Sequence, residues 1–395
     1  MIKVGITGQS GFIGTHLYNY LGLHENIERI PFLDAYFQDK NKLEEFVSSC
    51  DAIVHLAALN RHNDPQEIYD TNIRLVKQLI AACEQTDSTP HILFSSSTQE
   101  ERGNSYGNSK KEGRKLFEAW AERNNARFTG FVIPNVFGPF GHPYYNSFIA
   151  TFCHQLTHGE EPKIDKDNEV KLIYVGELVE EFRKEIFRTR MTQIEQMNTD
   201  NKISENPSNP RHPRSNFEYR VPHTKEIKVS EVLQLLNTYK AEYFDKGILP
   251  DLSQAFERNL FNTFLCYIDF DHFFPFHLKL NTDDRGSFVE TVKEKNGGQV
   301  SFSTTKPGIT RGNHFHTRKA ERFAVIKGKA KIEFRRIGSD QVHSFELDGS
   351  RPSFVDMPIW HTHNITNIGE EELYTIFWIN EFFDPEDADT FFEKV

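Results

Sequence analysis

Cysteine is scarce and dispersed: Cys50, Cys83, Cys153 and Cys266 are the four in 395 residues, with no C-x-x-C pair among them. That spacing excludes a disulfide-stapled scaffold and a thiolate metal ribbon, and it points to free thiols in a reducing compartment. Positive charge is also short. Asp and Glu number 57 against 46 Lys and Arg, a formal net charge of -11. Such a balance argues against nucleic acid as a partner, while leaving room for a local basic pocket that holds a diphosphate. No run of 18 apolar residues occurs, so no membrane insertion is expected. The opening MIKVGITG enters a strand pattern directly, without a charged leader or an apolar signal segment. The expected location is therefore the cytoplasm.

What the chain does contain is core material. Apolar residues make up 37%, including 35 Phe, and a chain of this length exceeds what one core usually supports, so two domains are expected. IKVGIT (2–7), DAIVHLAAL (51–59), HILFSSST (91–98) and RFTGFVIPNVFG (127–138) are apolar runs of strand length. Between them lie helix-like stretches around NIRLVKQLIAACEQ and KKEGRKLFEAWAERN, and this alternation predicts parallel βαβ units in a doubly wound α/β sheet. The stretch 191–225 is polar, with four prolines and little periodicity; it reads as an exposed, partly mobile insertion. After about residue 272 short strands separated by Gly and Pro turns take over, among them RFAVIKG, KAKIEFRRI and LYTIFWI. They predict an all-β sandwich or small barrel. The expected domains are 1–272 and 273–395.

The first strand is followed by Gly8-Gln9-Ser10-Gly11-Phe12-Ile13-Gly14 and then by helical spacing. Glycines there allow a tight turn, a close approach of backbone to a pyrophosphate and a helix N-terminus aimed at the anion. Alone, the pattern is an ordinary strand-to-helix turn. Farther on come Val54-His55-Leu56-Ala57-Ala58, Ser95-Ser96-Ser97, Tyr106-Gly107-Asn108-Ser109-Lys110 and Asn135-Val136-Phe137-Gly138-Pro139. A Tyr and a Lys four apart project from one helix face, so an ammonium there is expected to lower the phenol pKa toward working pH. In this order the segments resemble the extended short-chain dehydrogenase/reductase family over roughly residues 1 to 245, many of whose members act on nucleotide sugars. The resemblance implies an NAD(P)-binding Rossmann domain with Ser97, Tyr106 and Lys110 as catalytic residues; Thr98 adjoins Ser97. It further implies cofactor contacts from Gly8, Gly11, Phe12, Ile13, Gly14, Leu56, Ala57, Arg61, Tyr106 and Lys110, and a substrate contact from Asn135. Asp34 sits where an acidic residue would favour NAD, and Arg29 or Arg61 would meet a 2′-phosphate; the expected cofactor is NADPH, with NADH as the alternative.

The C-terminal part carries Gly308-x5-His314-Phe315-His316-x4-Glu321-x6-Gly328 and Pro358-Ile359-Trp360-His361-Thr362-His363-x3-Asn367. His314 and His316, two apart, share one face of a strand. With Glu321 and His363 they make three nitrogens and one oxygen, a set suited to Zn2+ or another divalent transition metal. The two segments resemble the cupin motifs, with Trp360 where glycine is usual, a substitution that challenges a turn needing positive φ. Asp283-Asp284-Arg285-Gly286-Ser287-Phe288-Val289-Glu290 and Arg311-Gly312-Asn313-His314 further resemble cupin sugar epimerases. In those enzymes the motif histidine is a base without metal, so the two resemblances compete for His314. Arg285 and Lys306 are expected to touch substrate; the C3 base is left unassigned, because a metal would occupy His314 and because Lys306 and Asp356 are only neighbours in sequence.

A C4 ketone links the two halves chemically, because it acidifies the C3 hydrogen and accepts hydride. From TGQSGFIG to NEFFDPEDADTFF the chain resembles the bifunctional capsular-polysaccharide-synthesis enzymes of the F type, a reductase domain fused to a cupin epimerase domain. That resemblance implies C3 epimerisation of a UDP-2-acetamido-2,6-dideoxy-4-ketohexose and NADPH-dependent C4 reduction to UDP-2-acetamido-2,6-dideoxy-L-talose. A homodimer is also expected. The alternative expectation is a nucleotide-sugar reductase whose cupin is only a metal-stabilised dimerisation or sensing module.

Overall fold

The computed structural model describes residues 1–200, 216–279, 281–283, 286–288, 291–294, 298–381 and 384–395. By contacts the chain forms two compact units, one of residues 1–136 and 171–226, the other of 137–170 and 227–395.

The first unit is built on a parallel sheet. β1 (Ile2–Thr7), β2 (Ile27–Ile30), β3 (Ala52–His55), β4 (His91–Ser97) and β5 (Phe128–Ile133) are joined by a sixth strand, Asn216–Arg220, in the order β2-β1-β3-β4-β5 and then Asn216–Arg220. All pairings are parallel. Strands β3 and β5 are buried at every position, as expected where helices cover both faces of a sheet. Helices α1 (Phe12–Leu21), α2 (Lys40–Ser48), α3 (Pro65–Gln85) and α4 (Ser105–Asn124) supply that cover. Each of the longer two has a legible start: Asp64 accepts from the Gln66 N–H ahead of α3, which has Pro65 in its first turn, and Asn104 accepts from the Gly107 N–H ahead of α4. One core cluster joins Phe37, Phe46, Phe94, Phe117, Trp120 and Phe128. Successive strands are added on opposite sides of β1, β2 on one and β3 on the other, which creates a switch point at the carboxyl ends of β1 and β3 where such sheets bind ligands.

The region 191–225 differs from its expected form. The helix Val175–Asp200 continues through its first part, and Asn216–Arg220 is a sheet strand rather than loop; residues 201–215 lie outside the described residues. The strand escaped sequence reading because it is short and alternates Phe217 and Tyr219 with charged residues. Those rings pack on Phe128 and Phe131 of β5.

In the second unit two antiparallel sheets face each other as a cupin jelly roll. One runs Phe276–His277, Ser353–Met357, Glu321–Lys327, Leu373–Ile379, Gln299–Thr305; the other Val342–Asp348, Lys329–Arg336, His361–Asn367, Thr310–Phe315, Phe391–Phe392. Helices Phe148–Thr157, Val229–Tyr239 and Ala255–Leu265 belong to the same unit, so the compact units do not divide at residue 272. Aromatic side chains hold this together: Phe270 meets Phe334, His343 and His361 edge-on, and Phe274 meets Phe345 and Phe354. A buried network reinforces it. Arg322 donates to both carboxylate oxygens of Asp356 at 2.8 and 3.0 Å, the Tyr243 hydroxyl bonds the same carboxylate, and Arg322 also donates to the Gly247 carbonyl.

Candidate functional site

Of the expected cofactor residues, Gly8, Gly11, Phe12, Ile13, Gly14, Leu56 and Ala57 lie at the switch point. Gly8 has φ +69, and a Cβ there would lie 2.7 Å from the Ala57 backbone nitrogen; only glycine permits this approach of the turn to the segment after β3. The same contact places Leu56 and Ala57 beside the loop, and Leu56 N–H donates to the Thr7 carbonyl while Ala57 N–H donates to the Thr7 hydroxyl. Gly11 N–H closes the turn onto the Gly8 carbonyl at 3.1 Å, and Phe12 and Ile13 open α1 with Gly14 packed against the loop. The α1 N-terminus thus stands free of a side-chain cap, the arrangement that receives a phosphate. Asp34 accepts a 3.5 Å hydrogen bond from Ser10. Arg29 is turned onto α1: its guanidinium lies 4.1 Å from the Tyr18 ring centre and donates to the Tyr18 carbonyl. Arg61 lies exposed in the loop after β3.

Tyr106 and Lys110 project from α4 toward the end of β4. The Lys110 ammonium is buried, 3.4 Å from the Ser95 hydroxyl, 5.0 Å from the Phe94 ring centre and 5.6 Å from the Tyr106 ring centre. Burial lowers the lysine to about 7, against a smaller opposing pull from Glu100, and burial raises the Tyr106 phenol to about 12. The expected lowering of the phenol is therefore corrected. Desolvation outweighs an ammonium that is itself pushed toward neutrality, and the phenol stays protonated. Ser97 sits at the end of β4, where its hydroxyl accepts from the Gln99 N–H and caps the short helix Thr98–Glu101. Asn135 is exposed at the start of the strand Asn135–Phe137.

A brace that the sequence did not announce holds this loop. Glu100 takes the Ser96 hydroxyl and two donors of Arg114 at 3.0 and 2.8 Å, and Arg114 also donates to the Phe217 carbonyl. The pieces are too far apart in sequence to read as a pattern, although Ser96 and Glu100 four apart gave a weak local hint. Gly107, inside the Tyr-Lys motif, is required by the same loop: a Cβ there would stand 2.0 Å from the Gln99 carbonyl oxygen.

In the second unit His314, His316, Glu321 and His363 place one donor atom each within 4.8 Å of one another, the one such group among the described residues. His314 and His363 face each other across paired strands, with Asn313 at φ +60 in a bulge just before, and Glu321 opens a strand of the opposite sheet. Glu321 Oε2 lies 2.9 Å from His363 Nε2, 3.4 Å from His316 Nε2 and 4.0 Å from His314 Nε2. In two of the three histidines the other ring nitrogen is bonded outward: His316 Nδ1 to the Asp389 carbonyl at 2.5 Å and His363 Nδ1 to the His361 carbonyl at 3.1 Å. Each bond selects the tautomer that turns Nε2 inward, and the buried His316 Nε2 has no hydrogen-bond partner.

Burial pushes Glu321 up, but the facing imidazoles of His314, His316 and His363 outweigh it and hold the carboxyl well below its usual range. Burial lowers His363; for His316 burial is outweighed by Glu321 and the Asp389 carbonyl, which raise it. Three imidazoles and one carboxylate at these spacings fit a divalent transition ion. His314, with 27% of its side chain exposed, marks the side open to solvent.

His361 is not part of the cluster. Its ring is buried among Phe140, Phe270 and Phe334, and burial lowers it to about 3. Trp360 takes the left-handed conformation, φ +58, stacks on Phe315 at 5.6 Å and donates its backbone N–H to the His316 carbonyl, so the turn forms without glycine. Asp356 is committed to Arg322 and Tyr243, which removes it as a C3 base. Lys306 is exposed in the turn before Thr310–Phe315, and Arg285 lies outside the described residues.

Comparison with known proteins matches residues 4–184 to the NAD dependent epimerase/dehydratase family and residues 281–391 to the polysaccharide biosynthesis C-terminal domain. UDP-2-acetamido-2,6-beta-L-arabino-hexul-4-ose reductase of Pseudomonas aeruginosa is 32% identical over 393 residues, 99% of this chain and 98% of that protein. The crystal structure of the capsular polysaccharide assembling protein CapF from Staphylococcus aureus matches all of both chains, at 32% identity and a TM-score of 0.60. RMD from Pseudomonas aeruginosa complexed with NADPH is 19% identical and covers 61% of this chain and 83% of its own, with a TM-score of 0.50, a likeness of fold.

Proposed function

The chain belongs to the family of nucleotide-sugar reductase/epimerases of capsular polysaccharide biosynthesis represented by these full-length relatives, and from that premise we propose that it inverts C3 and then reduces C4 of one UDP-linked ketosugar. The substrate in this reading is UDP-2-acetamido-2,6-dideoxy-β-L-arabino-hexos-4-ulose. The product is UDP-2-acetamido-2,6-dideoxy-β-L-talose (UDP-N-acetyl-L-pneumosamine), on the way to UDP-N-acetyl-L-fucosamine. One observation carries the reading: a single chain holds a Tyr106–Lys110 pair beside a dinucleotide loop and, in its other unit, a three-imidazole, one-carboxylate cluster. Ketone reduction needs only the first, so the second calls for another reaction of the same ketone.

For the reduction, the turn from Gly8 to Gly14 and the backbone at Leu56 and Ala57 would hold NADPH, which when bound supplies the hydride for C4. Tyr106, kept protonated by burial, donates its phenolic proton to the C4 oxygen as that oxygen gains negative charge. Lys110, partly charged near neutral pH, steadies the resulting phenolate until it is reprotonated. Ser97, at the end of β4, or the adjoining Thr98 would give a second hydrogen bond to the ketone oxygen from the loop braced by Glu100 and Arg114. For the epimerisation, a base removes the C3 proton, the electrons shift onto the C4 oxygen, and protonation from the opposite face restores the ketone with C3 inverted. A divalent cation held by His314, His316, Glu321 and His363 would supply positive charge for that oxygen. Reduction then removes the ketone and draws the reversible inversion forward.

The test is solvent exchange in D2O with the UDP-4-keto-6-deoxy-N-acetylhexosamine and no dinucleotide. Deuterium at C3 is expected in wild type and in Tyr106→Phe, and not in His316→Ala or Glu321→Ala. Tyr106→Phe is expected to abolish NADPH oxidation. Reduction without any C3 exchange would leave the cupin as a dimerisation or sensing module and end the epimerase half of the proposal.

A further inference from the structure

The C-terminal segment pairs with the strand that bears His314 and ends one residue before His316. Phe391 and Phe392 pair with Phe315 and His314, the Glu393 N–H donates to the Asn313 carbonyl, and the Thr362 hydroxyl donates to the Glu393 carbonyl. At its start is Asp389, buried and in the left-handed conformation at φ +44. Its carboxylate accepts from the Thr317 hydroxyl at 2.6 Å and from the backbone N–H groups of Thr317, Arg318 and Lys319 at 3.0 to 3.2 Å. Its backbone carbonyl accepts from His316 Nδ1. Beside it Lys319 Nζ donates to the Ala388 carbonyl at 2.7 Å. The three captured N–H groups belong to the short link between His316 and Glu321, so one side chain anchors the backbone between two donors while the same residue's carbonyl orients the first of them.

We propose that Asp389 is a positioning residue for the metal centre, locking the 317–319 link with its carboxylate so that its carbonyl holds the His316 ring with Nε2 turned to the ion. The inference rests on reading the four-donor cluster as a metal site. Nothing about it requires Asp389 to touch ion or substrate. The carbonyl is present whatever residue stands at 389, so the side chain acts by keeping that carbonyl in place. Partners that orient a ligating histidine in this way typically contribute about 10- to 100-fold in metal affinity.

The experiment uses the full chain, stripped of metal, as wild type, Asp389→Gly, Asp389→Asn and Thr317→Val. Glycine keeps the positive φ without strain and deletes every carboxylate bond; asparagine keeps one acceptor oxygen; Thr317→Val deletes a single donor. Zn2+ affinity is read by competition with a chromophoric chelator, Co2+ geometry by the visible absorption of the bound ion, and the His316 tautomer by ring 15N shifts of the metal-free protein. Dinucleotide binding and a circular-dichroism melt report folding. Expected are a roughly 10- to 100-fold loss of Zn2+ affinity in Asp389→Gly, a smaller loss in Asp389→Asn, an altered Co2+ spectrum and a mixed His316 tautomer. If Asp389→Gly does not fold, the Asn and Val variants carry the same ranked expectation. Variants that bind Zn2+ as wild type does, with an unchanged tautomer, would overturn the inference and leave the metal reading standing; a wild type that binds no Zn2+ would overturn both.

Discussion

At the scale of single residues the pair Tyr106 and Lys110 is governed by burial. Lys110 sits at about 7 instead of 10.5 because desolvation disfavours its charge. Between those values the unfolded chain holds a proton there that the folded one does not, so stability from this group rises with pH from about 7 toward 10.5. Lys110→Met is expected to flatten that part of the curve, measured as the difference in Tm between the two proteins at stepped pH. Gly107 illustrates a steric demand: the 2.0 Å approach of a Cβ to the Gln99 carbonyl predicts that Gly107→Ala costs about 1–3 kcal/mol and lowers kcat for NADPH oxidation, because Tyr106 must move with its neighbour. Trp360 shows the opposite latitude. A bulky residue accepts positive φ where its ring gains a stacking partner in Phe315, a strain of order 1–2 kcal/mol offset by packing.

Between elements, buried polar pairs decide more than surface ones. Arg322 and Asp356 lie on adjacent strands, and Tyr243, from the helical segment, completes the network. Removing one partner strands a buried charge, so Asp356→Asn is expected to destabilise the second unit by about 3–5 kcal/mol, seen as an earlier melt, while C3 exchange persists in the protein that remains folded below it. Loss of exchange with an unchanged melt would instead make Asp356 the base. In the four-residue cluster burial lowers His316, but Glu321 and the Asp389 carbonyl outweigh it and raise its proton affinity. A proton on it competes with a cation, so Zn2+ affinity is expected to fall as pH is lowered from about 8 to about 6, measured by chelator competition.

Across the whole molecule the alternation of strands and helices followed by strands alone was enough to name both fold classes, since periodicity is written in neighbouring residues. The four-residue cluster was legible for the same reason: His314, His316 and Glu321 fall within one strand-turn-strand, and His363 keeps its place in a recognisable motif. Tyr106, Lys110 and the glycine loop were equally local. By contrast Asn216–Arg220 became a strand only because β5 offered it an edge, and residues 137–170 and 227–272 joined the second unit through contacts that no window of sequence contains. Its sequence by itself determined which chemistries the chain carries, because each motif sets residue types at spacings a single element satisfies. Only the tertiary structure decided that Tyr106 stays protonated, that Asp356 is tied to Arg322 and that Asp389 stands behind His316, because desolvation and hydrogen bonding depend on what folds alongside a group, from 34 to more than 70 residues away in these pairs.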